Sequence, residues 1–96
     1  MSAYIVVDTK IHNDSEYEEY KKLAKPIVEK YGGAYRVRGG NLDIIENDLW
    51  TPTRIVILEF PDVESARVFL DSKEYNPVKQ RRHENADCTL FIVDGG

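Results

Sequence analysis

The sequence predicts an α+β protein in which one four-stranded sheet carries helices on one face. Three observations support this prediction. Residues 54–60 form an apolar run rich in β-branched side chains, which is typical of a central strand. Residues 17–31 place apolar side chains at steps of three and four, which is typical of an amphipathic helix. Strand and helix patterns follow each other in the order β-α-β-β-α-β, with an extra helix before the last strand.

The composition is ordinary for a soluble globular protein, with 96 residues, of which 42% are hydrophobic and 31% charged, and a net charge of −4. A chain of this length predicts one ferredoxin-sized domain over residues 1–96. No basic patch is interleaved with aromatic residues, so we expect no nucleic-acid partner. No apolar run approaches the ~20 residues of a membrane span, so we expect no membrane association and no signal peptide. The single Cys88 suits a reducing compartment, and we expect a cytoplasmic location.

The first half of the chain predicts a strand, a helix and a short strand. Residues 3–9 are apolar toward both faces, and Ser15 with Glu18 has capping-box spacing at the start of the helix. Residues 13–14 are alternative caps. Pro26 lies inside this helix, where its missing N–H should produce a kink. After this helix the sequence predicts a strand over residues 34–38. A glycine pair then breaks or bulges the strand, and an extended stretch follows over residues 42–46.

The second half predicts the central strand, two helices and a last strand. Pro61 ends the strand at residues 54–60 because it has no N–H for the ladder, and Asp62 is a cap for the next helix. The third helix is expected from about Glu74 to Glu84, and the last strand over residues 88–93. The buried stripe of the second helix is Val63, Ala66, Phe69 and Leu70.

This order is that of the ferredoxin-like βαββαβ plan, with an extra helix before the last strand. We expect the first and third strands to be parallel neighbours joined by right-handed crossovers. Helices can cover only one face of the sheet, yet the first, third and last strands carry apolar residues toward both faces. A second copy is the simplest cover for the other face, so the sequence predicts a homodimer formed by sheet-on-sheet packing.

Short motifs along nearly the whole chain resemble those of a known family. In order they are Tyr17-Glu18-Glu19-Tyr20, Tyr31-Gly32-Gly33, Arg38-Gly39-Gly40, Trp50-Thr51-Pro52-Thr53-Arg54, Glu59-Phe60-Pro61, Ser72-Lys73-Glu74-Tyr75 and Arg82. In this set the chain is similar to the small bacterial family described as domain of unknown function 1330, within the dimeric α+β barrel superfamily. It departs at Phe69-Leu70, where Trp-Tyr is usual, and at Val93-Asp94-Gly95, where Val-Glu-Gly is usual. The resemblance implies a homodimer with face-to-face sheets and no particular activity.

Arg82 is the strongest candidate for ligand binding. Tyr75, Val78 and Arg82 share one stripe of the third helix. If that stripe faces the protein, Arg82 points inward and needs an anion. Glu59, at the end of the central strand, could be that anion in a structural ion pair, or a substrate carboxylate could be. Glu59 is also the first candidate for a catalytic carboxylate.

Four residues are further candidates for ligand contacts. Arg38 and Gly39 could present a guanidinium and backbone N–H groups to an anion, or the glycines could form a β-bulge. Ser72 and Tyr75 could hydrogen-bond a ligand, or they could be a helix cap and a core ring. The sequence predicts a small pocket between the sheet and the second and third helices. Its expected lining is Arg38, Glu59, Tyr75 and Arg82.

His83 is the second catalytic candidate, because a histidine pKa suits proton transfer, although an exposed surface histidine is the alternative. His12, His83 and Cys88 show no metal-ligand spacing, so we expect no metal site and no bound cofactor. Trp50 could line the pocket or lie in the dimer interface. Its position in the connection before the central strand favours the interface.

Two functions are compatible with these residues. The first is a cofactor-free enzyme, an isomerase or monooxygenase-like protein, that acts on a small organic acid or cyclic metabolite. Glu59 or His83 would move a proton while Arg38 and Arg82 hold the anion. The second is a non-catalytic dimer that binds a small anionic molecule, or an accessory stress protein. A titratable group of perturbed pKa beside an opening would favour the enzyme.

Overall fold

The computed structural model describes residues 2–96. Its elements are β1 (Ala3–Ile11), α1 (Asp14–Lys30), β2 (Ala34–Arg38), β3 (Ile55–Phe60), α2 (Val63–Leu70), α3 (Tyr75–Asn85) and β4 (Ala86–Asp94). The predicted order is confirmed, and so is the ferredoxin-like α+β fold class with its extra helix. Residues 42–46, which were expected to be extended, contribute no strand and lie in a long connection between β2 and β3.

The four strands form one antiparallel sheet in the order β2-β3-β1-β4. The expectation that the first and third strands would be parallel neighbours is wrong. They are neighbours, but Tyr4 pairs with Glu59 and Val7 with Val56 in antiparallel register. The physical reason is the chain reversal between β2 and β3. The crossover through α1 makes β2 parallel to β1, and the reversal then turns β3 the other way.

Local hydrogen bonds define the helix ends. Asn13 caps α1, because its Oδ1 accepts a hydrogen bond from the Glu16 backbone N–H at 3.2 Å. Ser15 therefore does not cap the helix in the predicted way, and its hydroxyl donates to the same Asn13 oxygen. Asp62 caps α2 as predicted, with its Oδ1 2.7 Å from the backbone N of Ser65.

The hydrophobic core lies between the helices and one face of the sheet, which we call the inner face. Its buried members are Ile5, Val7, Ala24, Val28, Val56, Leu58, Phe60, Ala66, Phe69, Tyr75 and Val78. Burial alternates along β3, so Val56, Leu58 and Phe60 are buried while the residues between them are half-buried. Alternation of this kind assigns every second residue of β3 to the opposite face, which we call the outer face.

The outer face carries an apolar row that crosses all four strands. Val37, Ile57, Val6 and Phe91 are register partners in β2, β3, β1 and β4. Val37 is 39% exposed and Phe91 is 38% exposed. The core helices pack on the inner face, and on the outer face Val6 and Ile57 in the middle of this row are half-buried. Exposed apolar rows of this kind mark surfaces that pack against another molecule.

Asp8 fastens the connection between β2 and β3 to the outer face. Its Oδ2 accepts a hydrogen bond from the Trp50 indole N–H at 2.9 Å. Its Oδ1 accepts hydrogen bonds from the backbone N–H groups of Thr53 and Arg54 at 2.8 and 3.0 Å. These hydrogen bonds give Asp8 a structural role, since they hold the residues that immediately precede β3 in place.

We expect the fluorescence of Trp50 to report the ionisation of Asp8. Burial raises the pKa of Asp8, but hydrogen bonds from Arg54, Thr53 and Trp50 outweigh it and hold the pKa below its usual 3.8. A lowered folded-state pKa means stabilisation that is present above the unfolded-state pKa and is lost as the pH falls through the folded-state pKa. Trp50 is the only tryptophan, so its emission should change with a midpoint below pH 3.8.

The matched variant for this titration is Asp8→Asn, which keeps the side-chain shape and removes the charge. The variant should lose the acid transition in Trp50 emission, while circular dichroism monitors global unfolding in both proteins. An unchanged fluorescence titration in Asp8→Asn would contradict the assignment.

Candidate functional site

A cavity lies between the inner face of the sheet and the helices. It is narrow, because only about 30 Å³ of its space is wide enough for the centre of a water molecule. Its apolar lining comes from Ile5, Val7, Val28, Val56, Leu58, Phe69, Leu70 and Leu90. Its polar lining comes from Tyr17, Tyr20, Lys21, Tyr35, Arg38, Arg54, Tyr75 and Arg82. The described wall therefore contains four cationic side chains and no carboxylate.

Two guanidinium groups in this wall have nitrogen atoms without partners. Arg54 Nη1 and Arg82 Nε are buried and form no hydrogen bond. Arg82 is only 4% exposed. Neither guanidinium lies in an ion pair with a carboxylate among residues 2–96. Buried donors are nearly always satisfied in folded proteins, so two such atoms in one cavity indicate a site for acceptor atoms.

Arg82 is held in the cavity by the inward stripe of α3. Tyr75, Val78 and Arg82 are the buried residues of this helix, as their spacing predicted. Burial alone would lower the pKa of Arg82, but the neighbouring Tyr75 and Tyr20 outweigh it, so the pKa lies above its usual value. The guanidinium is therefore a permanent cation in a largely apolar cavity.

Tyr17, Tyr20 and Tyr35 of the wall have raised pKa values, so their phenols are protonated at neutral pH. Tyr20 and Tyr75 place their hydroxyl oxygens 2.7 Å apart. Burial raises the pKa of Tyr20 well above its usual value, and the nearby Tyr75 raises it further. Burial raises the pKa of Tyr35 to about 12 and also raises the pKa of Tyr17. These phenols can donate and accept hydrogen bonds, but they are not general bases at neutral pH.

Glu59 does not reach the cavity, and the expected ion pair between Glu59 and Arg82 is not formed. Glu59 alternates with Leu58 and Phe60, so it lies on the outer face. Its Oε1 accepts a hydrogen bond from Arg36 Nε at 2.7 Å, and its Oε2 accepts one from the Ser2 hydroxyl. The hydrogen bonds from Ser2 and then Arg36 lower the pKa of Glu59. The physical reason for the missing pair is the two-residue period of the strand.

His83 is exposed and lies outside the cavity. It borders a separate surface groove together with Lys79, Arg82 and Cys88. Partial burial lowers the pKa of His83, and the cations Arg82 and Lys79 lower it further. Its Nε2 lies 3.5 Å from Arg82 Nη2. The structure thus places His83 on the solvent side of Arg82, apart from the cavity wall.

Of the predicted ligand contacts, Arg38, Tyr75 and Arg82 line the cavity. The Arg38 guanidinium lies 4.5 Å from the centre of the Tyr35 ring, which is a cation–π distance. The hydroxyl of Ser72 is engaged by the fold, because it donates to the Phe69 carbonyl at 2.8 Å and accepts from the Tyr75 N–H at 3.1 Å. Ser72 therefore fits the alternative interpretation, in which its side chain caps the start of α3.

Gly39 makes room for a cation instead of presenting its N–H to a ligand. Its N–H donates to the Ile55 carbonyl at 2.9 Å, and its φ of +75° is left-handed. A Cβ at this position would lie 2.6 Å from Arg54 Nε. The β-bulge that was expected at the glycine pair lies instead between Tyr35 and Val37.

Sequence reasoning missed Arg54, Lys21 and the tyrosines of α1 and β2 as members of the site. Arg54 lies two residues before Val56 and four before Leu58. Alternation along the strand therefore predicts that Arg54 points inward, as they do. Trp50 does not line the cavity. Phe69 and Leu70, where the resembled family has ring donors, contribute only apolar surface to the wall.

An antiparallel four-stranded sheet with helices on one face defines a ferredoxin-like α+β protein, and a cationic cavity lies between its two layers. The family described as "Domain of unknown function (DUF1330)" matches residues 2–96, and the chain belongs to this family. The resemblance found in the sequence motifs is thereby confirmed. No curated protein matches significantly. No helix in residues 2–96 is long and apolar enough to cross a bilayer.

Solved structures with similar folds come from several bacteria. The chain is similar to the RPA0582 protein of unknown function from Rhodopseudomonas palustris, with 17% identity, a TM-score of 0.76, and coverage of 99% of this chain and 82% of that one. It is similar to SnoaB, a cofactor-independent oxygenase from Streptomyces nogalater, with 14% identity, a TM-score of 0.72, and coverage of 99% and 93%. A protein from Nitrosomonas europaea, provisionally designated an antibiotic biosynthesis monooxygenase, has 17% identity, a TM-score of 0.60, and coverage of 99% and 98%. At such identities the likeness shows the fold alone.

Proposed function

We propose that the protein is a homodimer that binds a small organic anion in the cavity between the sheet and the helices of each protomer. The observation that carries this proposal is the pair of buried, unpartnered nitrogen atoms, Arg54 Nη1 and Arg82 Nε, in a wall without carboxylates. An anion supplies the acceptor atoms that these donors lack, and charge-assisted hydrogen bonds are the stronger kind. The apolar and tyrosine-lined remainder of the wall suits a ring or another flat apolar body.

The narrow cavity requires side chains to move when a ligand enters. Lys21 and Arg38 border both the cavity and a surface groove along α1, so they stand at its mouth. Arg38 is exposed, and Lys21 is held only by a surface ion pair with Glu18. Surface ion pairs of this kind contribute about 0–1 kcal/mol, so moving these two side chains is cheap.

Binding is favoured over turnover by the absence of a general base from the described wall. Burial raises the pKa of Tyr17, Tyr20 and Tyr35. Glu59 lies on the outer face, and His83 lies in a separate groove. The second candidate is a cofactor-free enzyme of the isomerase or monooxygenase-like kind. The fold likeness to SnoaB favours it, and so does the cationic wall, which would stabilise a substrate that is already an enolate or phenolate. Assays of oxygen consumption and of chemical change in each bound ligand separate this candidate from a non-catalytic binding or accessory stress protein.

The outer face supports the dimer. The apolar row formed by Val37, Ile57, Val6 and Phe91 lies on the face opposite the core helices. Its edge members Val37 and Phe91 are 39% and 38% exposed, and Trp50 beside it is 47% exposed. Two such faces packed together would bury this row at the usual sheet spacing of about 10 Å.

Arg82→Met should weaken the binding of benzoate and related ring carboxylates by about ten- to a hundredfold. The substitution keeps an apolar stem and removes the charged donor, and a hydrogen bond to a charged group contributes about 1.5–3 kcal/mol. Calorimetric titration measures the loss, and circular dichroism confirms the fold. Arg67→Met is the matched control, because Arg67 is exposed on α2 and does not line the cavity. Equal affinities of Arg82→Met and the native protein would refute the proposed site.

A further inference from the structure

We infer that the ligand carries two acidic groups at opposite ends of an apolar middle and lies across the strands of the sheet. This inference rests on the proposed function and names the ligand class of the same cavity. It follows from the positions of the cations, which stand near opposite edges of the sheet.

One cationic end of the cavity is at the β2 edge. Arg38 belongs to β2, which is an edge strand. The Arg54 guanidinium lies against Gly39, the residue after Arg38, where the missing Cβ makes space for it. The unpartnered Arg54 Nη1 is therefore at this end. Lys21 adds a third cation at the same mouth.

The other cationic end is at the β4 edge. Arg82 borders the cavity and also the surface groove that contains Cys88 and Leu90 of β4. The unpartnered Arg82 Nε and the hydroxyl pair formed by Tyr20 and Tyr75 are at this end. No acidic side chain borders the cavity between the two ends in residues 2–96.

The floor between the ends is apolar. Arg38, Val56, Val7 and Leu90 are successive register partners across β2, β3, β1 and β4. This row spans three interstrand spacings, which is roughly 14 Å between the edge backbones. Long arginine side chains shorten the gap between the charges. A ligand with one carboxylate satisfies one end and leaves an unpartnered buried donor at the other, whereas a ligand with two satisfies both.

The experiment compares ring dicarboxylates with the monocarboxylates of the same rings. Benzene, naphthalene and biphenyl acids serve as probes, because the three rings sample three distances between acidic groups. Calorimetric titration of the native protein should give at least one dicarboxylate that binds about tenfold more tightly than its monocarboxylate, as one additional charge-assisted contact allows. Arg54→Met should remove this preference, so that the dicarboxylate binds no more tightly than the monocarboxylate of the same ring.

Arg38→Gln is the second variant at the same end, because its exposed side chain can be changed even if Arg54→Met does not fold. It should reduce the preference for the dicarboxylate, while Arg67→Gln on α2 should leave it unchanged. Equal binding of mono- and dicarboxylates to the native protein, with loss of both in Arg82→Met, overturns this inference and leaves the proposed function standing. Failure of every probe to bind overturns both.

Discussion

Phe69→Ala is expected to lower the free energy of unfolding by about 3–5 kcal/mol. Phe69 is 1% exposed, and its ring centre lies 4.4 Å from that of Tyr75 and 5.4 Å from that of Phe60. A third ring, Tyr31, lies at 6.3 Å. Truncation therefore leaves a cavity in the core and removes three aromatic contacts at once. Because whole proteins are stable by only about 5–15 kcal/mol, the variant should be close to unfolding at room temperature.

Urea denaturation at a fixed protein concentration measures this loss, since the stability of a dimer depends on concentration. Val68→Ala is the control, because Val68 precedes Phe69 on the same helix and is 51% exposed. The control should change the free energy of unfolding by less than about 0.5 kcal/mol. A loss below about 1 kcal/mol in Phe69→Ala would mean that α2 does not pack on the inner face as described.

The order of elements could be predicted from the sequence because it depends on local patterns. The apolar steps of α1, the cap at Asp62 and the glycine pairs are each set within a few residues. The direction of the strands depends on how distant segments pair. The alternation of inner and outer residues is the same in parallel and antiparallel strands. The predicted parallel pairing of β1 and β3 was therefore wrong, although their predicted adjacency was right.

The candidate site was predictable only in part, because both faces of the central strand are apolar. The helix α3 has almost no separation of polar and apolar faces, so the inward position of Arg82 could be predicted only from its spacing with Tyr75 and Val78. On β3 the hydrophobic pattern does not say which face is inner. Arg54 and Glu59 are an odd number of residues apart, so at most one of them can face the cavity. Because α1 packs on the Arg54 side, it is Arg54 that faces the cavity. Lys21 belongs to α1 and Tyr35 to β2, and only the packing of α1 on the sheet brings both into the cavity wall. No local sequence pattern predicts that position.

Ile57→Asp is expected to convert the dimer into a monomer. Ile57 lies in the apolar row of the outer face, between Val37 and Val6 as register partners. In the proposed dimer this row is buried between two sheets, so the variant would place an unpaired carboxylate from each protomer in an apolar layer. Burial of an isolated charge costs several kcal/mol even after relaxation, and each protomer would contribute one such charge to the interface. The fold should survive, because the side chain lies on the face opposite the core.

Sedimentation at micromolar concentration tests this expectation, with twice the 11.1 kDa chain mass for the native protein and the single chain mass for the variant. Val68→Asp introduces the same charge on the exposed side of α2 and should sediment like the native protein. A native protein that sediments as a monomer would reject the sheet-on-sheet dimer.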